Sequence, residues 1–498
     1  MHVDCCLAGS AGVGGVVKEE EEGSITFVDQ NAVAAEKVRQ VRPGRVFPGN
    51  TFSAAERTQS VRHETNHDLS LVTTSPRRHS LPAHLTPNPY AAPSLCNPAE
   101  KLSLHFLSSW VLATENKESC LGYFHHLPAL YFTCVSGHVL RLAVESVVAR
   151  HVAKRDRQQS FALLSQQLYG KALTKLSEVL HNDLIAREDA VLAAVLLLDT
   201  YEVRSDPTPS FTGPRLTLKP QRIFFCTAVH QAPHCHGLIS LLRLRARDNL
   251  FQNQSSHLWR IAHHRIQVSK LLNIEAPLEE SFHWVKILNT SALDLQIAEQ
   301  GLSVISLNYQ ARMILESGST DGADAVLVEM RKLETDMAAT ALDKIWSMSS
   351  VHPEFGNEHQ SLLPLTTARE TLPVYPGIWA ARRWSYHCAT RAMLLMMQAR
   401  LETACDAKSA STMTSTVREA VNRIHALNDS MLGSVPTLLG IIDEQGKGCT
   451  DRLATRDIGL MFLQVPLQVV IKNDFSLIRQ KREAWEVLRC IESSGLIA

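Results

Sequence analysis

Histidine is the residue type with most chemical scope in this chain, 22 in all, and its densest grouping is His234-Cys235-His236, with Cys226 and His230 just before it. Imidazole and thiolate together suggest zinc, which needs three or four ligands converging at about 2.0–2.3 Å. On a helix, residues two apart point to different faces, so His234 and His236 do not serve one ion. None of the 11 cysteines forms a Cys-x-x-Cys pair. These residues are read as structural, and no metal is assigned. The pairs His125-His126 and His263-His264 are expected on helix surfaces or at interfaces.

Nucleophilic chemistry has no visible frame. Gly-x-Ser-x-Gly is absent, and isolated Ser, His and Asp residues carry no weight without geometry. Gly9, Gly12, Gly14 and Gly15 resemble a phosphate loop, but the Gly-Lys-Ser/Thr ending is missing, which makes them a flexible tail. No catalytic residue is assigned, and the chain is expected not to be an enzyme. Basic clusters remain: Lys154, Arg155 and Arg157; Arg243, Arg245 and Arg247; and Arg382 with Arg383 beside Trp384. They could clamp acidic partners or phosphate, or serve as caps and internal ion pairs. Met393 to Met397 is read as core, although adaptable Met-rich surfaces also receive ligands or partner helices.

The elements holding these residues are helical. Phe161, Leu164, Leu168, Ala172, Leu176 and Leu180 recur every three to four residues and predict an amphipathic helix over 160–180. Asn182 and Asp183 offer caps before a second helix over 186–201. Further helices are expected near 136–152, 256–272, 290–317, 323–346, 376–404, 412–430, 451–471 and 475–494. Pro353, Pro364, Pro373 and Pro376 mark a long break, with Pro376 suited to the first turn of the helix that follows. Strand-like alternation is scarce, so the fold class is all-α: one irregular multi-helix regulatory domain over 101–498.

Residues 1–100 differ. Eight prolines lie scattered among polar residues, and such sequence buries too little apolar surface to offset about 1–2 kcal/mol of ordering cost per residue. A disordered arm is expected there. Arg77, Arg78 and His79, beside Ser75 and Ser80, are a solvated linker or a weak basic signal. Residues 203–231 form a poorly fitting insert with four prolines, either a surface excursion or translated intron joining Glu202 to Ala232. Lysine plus arginine equals aspartate plus glutamate at 50 each, so no global charge draws the chain to a polyanion. Scattered, odd-numbered cysteines suit a reducing compartment. No apolar run approaches the roughly 18 residues of a membrane span.

Two segments carry a resemblance. One helix runs Leu196-Leu197-Leu198 into Tyr201-Glu202; the next begins His234-x-x-Gly237 and continues through Leu241, Leu242, Arg243, Leu244 and Arg245. Farther on come a Trp-rich helix with an Ala-Arg pair in Tyr375–Leu401, and a closing Pro-Leu, long helix and Gly-Leu-Ile-Ala in Gln464–Ala498. In this order they resemble the middle homology domain of fungal zinc-cluster transcription factors, with Ala246 and Arg247 where that family usually has glycine and proline. The family's six-cysteine DNA-reading cluster does not occur in this sequence.

The resemblance implies a nuclear transcriptional regulator of RNA polymerase II genes, acting through a helical regulatory and protein-interaction domain. Its partners would be other transcription regulators or a second copy of itself. It would contact DNA indirectly, or through a zinc cluster encoded upstream; this chain itself is expected to hold no cofactor. The family-motif positions Tyr201, Glu202, His234, Gly237, Arg243 and Arg245 are taken as structural. The alternatives are a small-molecule-binding helical protein, with Trp384 and Met396 at a pocket or partner surface between the 186–202 and 379–401 helices, or a decayed family member without function.

Overall fold

A computed structural model describes residues 124–155, 158–203, 234–248, 255–288, 291–340, 349–351, 371–406, 415–447 and 457–493, with a few positions between 103 and 111 and residue 250. The 1–100 arm, the 203–231 insert beyond Val203, and residues 494–498 lie outside the described residues. Within them the chain is all-α apart from one short two-stranded ribbon.

The helices are α1 (Leu127–Thr133), α2 (Val139–Arg155), α3 (Gln159–Leu180), α4 (Asp183–Ala186), α5 (Asp189–Val203), α6 (Cys235–Arg247), α7 (Ser255–Asn273) and α8 (Ser281–Leu288). Next come α9 (Ala292–Ser317), α10 (Ala323–Ala339), α11 (Ile378–Asp406), α12 (Ser415–Gly433), α13 (Val435–Leu438), α14 (Asp457–Lys472) and α15 (Ile478–Ser493). The ribbon pairs β1 (Ser349–Val351) antiparallel with β2 (Leu372–Val374), setting Ser350 opposite Pro373.

Two helical groups share one core. In the first, α2 packs against α3 and α5. In the second, α11 is the axle, with α9, α10, α12, α13 and α14 around it. Its sequence explains that place: Ala389, Ala392, Leu394, Leu395, Met397, Ala399 and Leu401 are all buried, and a helix apolar nearly all round must be enclosed. The Met393 to Met397 run is therefore core. Polar residues on α11 are tied to its neighbours. Arg391 bonds Glu334 of α10 at 2.6 Å, Glu402 receives Arg331 of α10 at 2.8 Å, and Ser385 meets Ser434 at 2.5 Å. Helix α7 joins the groups, touching α5 and α6 on one side and α8 and α9 on the other.

Several expectations need correction. Leu164 is exposed, whereas Ser165 is buried and donates to the Ser146 carbonyl at 2.9 Å. The inward stripe of α3 thus begins with a small residue beside α2, which rotates Leu163 and Leu164 outward. Asn182 caps only the single turn α4, its Oδ1 accepting from the amides of Leu184 and Ile185; α5 starts separately at Asp189. Pro376 precedes α11 instead of lying in its first turn, because Gly377 at φ 139° intervenes. His263 is interior, 3 % exposed, so the surface expectation does not hold for it, while His264 is half-buried. The short helices α1, α8 and α13 have too few periodic positions to stand out in sequence.

Candidate functional site

The family-motif residues divide between two places on α5. Tyr201, near its end, is buried against α3, stacked on Tyr169 with centroids 4.3 Å apart. Its hydroxyl is hydrogen-bonded with Ser165 Oγ at 3.1 Å, and the Arg150 guanidinium lies 4.5 Å from the ring centre. Glu202 follows on the last turn of α5; its side chain is outside the described ones.

At the other end of α5, Arg245 of α6 is 1 % exposed. It forms an ion pair with Asp189 and donates to the Arg187 carbonyl at 2.5 Å. Arg187 in turn pairs with Asp248 at 2.5 Å. His234 immediately precedes α6 and is buried; its carbonyl accepts from the Leu238 amide, and Gly237 is buried in the first turn. His236 is exposed, so the His-x-His pair diverges. Arg243 makes an outer pair with Glu280 at 2.6 Å. Asp189 and Tyr201 are separated by twelve residues, about 18 Å of helix. The motif therefore builds two structural locks, not one reactive centre.

Chemistry-bearing side chains converge elsewhere. A cavity of about 100 Å³ lies between α7, α8, α9 and the start of α11. Arg260 and Gln267 face it from α7, and Trp379, Arg382 and Tyr386 from α11. Val285 and Leu288 of α8, with Ile297 and Ala298 of α9, form an apolar wall. Arg383 and Asp294, an ion pair, also line it. The Arg382 guanidinium stacks 4.6 Å from the Trp379 ring centre and 4.8 Å from that of Phe462, a cation–π arrangement that holds its head in place.

The histidines at this cavity are neutral at ordinary pH. Burial lowers His263 to about 4, and its Nε2 lies 2.9 Å from Ser281 Oγ. Burial, then the neighbouring Arg382, holds His264 well below its usual value. Burial pushes the Tyr386 phenol up to about 12. Among the described residues, the charged groups at the wall are thus Arg260, Arg382, Arg383 and Asp294.

Comparison with protein-family models, with curated proteins and with solved structures gives no match. The cavity's own geometry therefore carries the functional case. Trp384 and Met396 are not among its lining residues: Met396 is 4 % exposed in the core and Trp384 is packed partly against it. Nor is any α5 residue. The pocket pairs the first turns of α11 with α7, α8 and α9. Sequence reasoning missed Arg260, Gln267 and Trp379 as a group, although Trp379, Arg382 and Tyr386 stand at i, i+3 and i+7, a spacing that shares one helix face. A second cavity, about 20 Å³, adjoins the Asp199–Arg265 pair and has room for little beyond water.

Proposed function

We propose that this chain is a nuclear transcriptional regulator whose helical body is a regulatory and protein-interaction module without catalysis of its own. One observation carries the proposal. The two motif-bearing helices, α5 and α6, pack directly together and are locked by the buried Arg245, so the positions that resemble the fungal middle homology domain belong to a single body. DNA contact would come through a partner regulator, a second copy, or a zinc cluster encoded upstream.

The test is to fuse the full chain to an unrelated DNA-binding domain and measure a reporter bearing its sites. The expected result is a several-fold change in transcription, abolished by Asp189→Ala, together with nuclear accumulation of the unfused chain. A silent reporter with folded, nuclear protein would refute the regulatory role. A second reading has an observation of its own: the cationic cavity beside α7 makes this body a small-molecule receptor, with the two helical groups responding to occupancy through the helix they share.

A further inference from the structure

We infer that the cavity between α7, α8, α9 and α11 is a binding site for a small organic carboxylate with a short apolar body. The inference rests on reading the cavity as a ligand site and stands independently of the transcriptional role.

Three features select this class. Charge comes first: among the described residues, the guanidinium groups of Arg260, Arg382 and Arg383 line the cavity together with the carboxylate of Asp294. An anion entering here meets guanidinium N–H groups in surroundings partly shielded from water, where such attraction is strong.

Donor supply comes second. Trp379 and Gln267 are each 8 % exposed, and the indole Nε1 and the amide Nε2 have no hydrogen-bond acceptor among the described residues. Buried donors are rarely left without acceptors. A carboxylate presents two oxygens and only accepts, which matches an indole N–H and an amide N–H.

Polarity is arranged by element, which is the third feature. Most donors and cations stand on α7 and α11, whereas the apolar Val285, Leu288, Ile297 and Ala298 stand on α8 and α9. A ligand with a charged head and an alkyl body can satisfy both sets at once, while a fully hydrated inorganic anion would strand its oxygens against the apolar wall. Size sets the limit. A cavity of about 100 Å³ is smaller than the roughly 150 Å³ that accommodates benzene, so the ligand has about four to six heavy atoms.

The experiment is titration calorimetry on the full chain with acetate, propionate, butyrate, butyramide and inorganic phosphate. Saturable one-to-one binding of butyrate is expected, with affinity rising about fourfold per methylene from acetate. Butyramide, which keeps the body and loses the charge, should bind at least tenfold more weakly. Gln267→Leu and Trp379→Phe should each weaken butyrate at least tenfold with far-UV circular dichroism unchanged, and Met396→Leu, remote from the cavity, should leave it unaltered. The inference is overturned if no carboxylate saturates the folded protein in the millimolar range, if butyramide matches butyrate, if phosphate binds tighter, or if both cavity variants retain wild-type affinity. A silent reporter alongside intact butyrate binding would remove the transcriptional role and leave this site standing.

Discussion

Breaking the Arg245–Asp189 lock from its two sides should give unequal losses, because the partners are unequally buried. Arg245 is 1 % exposed and Asp189 25 %. Removing the carboxylate with Asp189→Ala leaves an enclosed guanidinium whose remaining polar contact is the Arg187 carbonyl, and whose Nε already lacks an acceptor. A buried charge stripped of its partner costs about 3–5 kcal/mol. The lost acidic group in the first turn of α5 adds about 0.3–1 kcal/mol through the helix dipole.

Arg245→Met works differently. It keeps an unbranched apolar stem in the same space and leaves Asp189 with water access at a helix start that favours negative charge. The loss is then the two charge-assisted hydrogen bonds to Asp189 and to the Arg187 carbonyl, about 1.5–3 kcal/mol each, offset by several kcal/mol because no guanidinium is desolvated. Urea titrations followed at 222 nm should therefore give midpoints in the order wild type, Arg245→Met, Asp189→Ala, with the two variants separated by at least about 1 kcal/mol. Equal midpoints, or Arg245→Met as the less stable, would refute the burial asymmetry.

Tyr201 permits a finer dissection: Tyr201→Phe removes the hydroxyl that bonds Ser165 and should cost about 0.5–1.5 kcal/mol, whereas Tyr201→Ala also loses the Tyr169 stack and should cost about 3–5 kcal/mol, both measurable by the same titration. A methyl group at Gly459 would land on the carbonyl of Leu438, so Gly459→Ala should force α14 away from α13 and cost about 1–3 kcal/mol or more, read as a drop in melting temperature; an unchanged melt would contradict the close approach. Acid should destabilise the fold through its buried histidines. Burial lowers His263 and His387 each to about 4, so between pH 6.5 and 4 the unfolded chain binds more protons than the folded one, and stability falls as pH drops through that window by on the order of 3 kcal/mol per histidine. His263→Asn should flatten the slope of stability against pH between 6.5 and 4, and an unaltered slope would exclude His263 as a source.

Local sequence sufficed for the helices whose apolar spacing is dense. The 290–317 expectation matches Ala292–Ser317 because Ser291 caps its start, accepting from the Asp294 amide, and Gly318 at φ 67° ends it. The core character of Met393 to Met397 was also legible, since five consecutive apolar residues on a helix leave no polar face. The cationic residues were harder. Arg243, Arg245 and Arg247 look equivalent at two-residue spacing, yet one is buried and two are exposed, and the difference depends on Asp189, 56 residues earlier.

What the sequence alone determined is therefore the helical class, most helix positions and much of the apolar core, all properties of spacing within a dozen or so residues. The tertiary arrangement decided the rest. It placed the polar cluster at the meeting of α7, α8, α9 and α11 instead of beside Trp384 and Met396, and it took the two motif segments as locks at opposite ends of α5. Which side chains share a cavity depends on how helices far apart in the chain pack against one another, and a periodic apolar pattern specifies the buried face of a helix without naming the helix that will cover it.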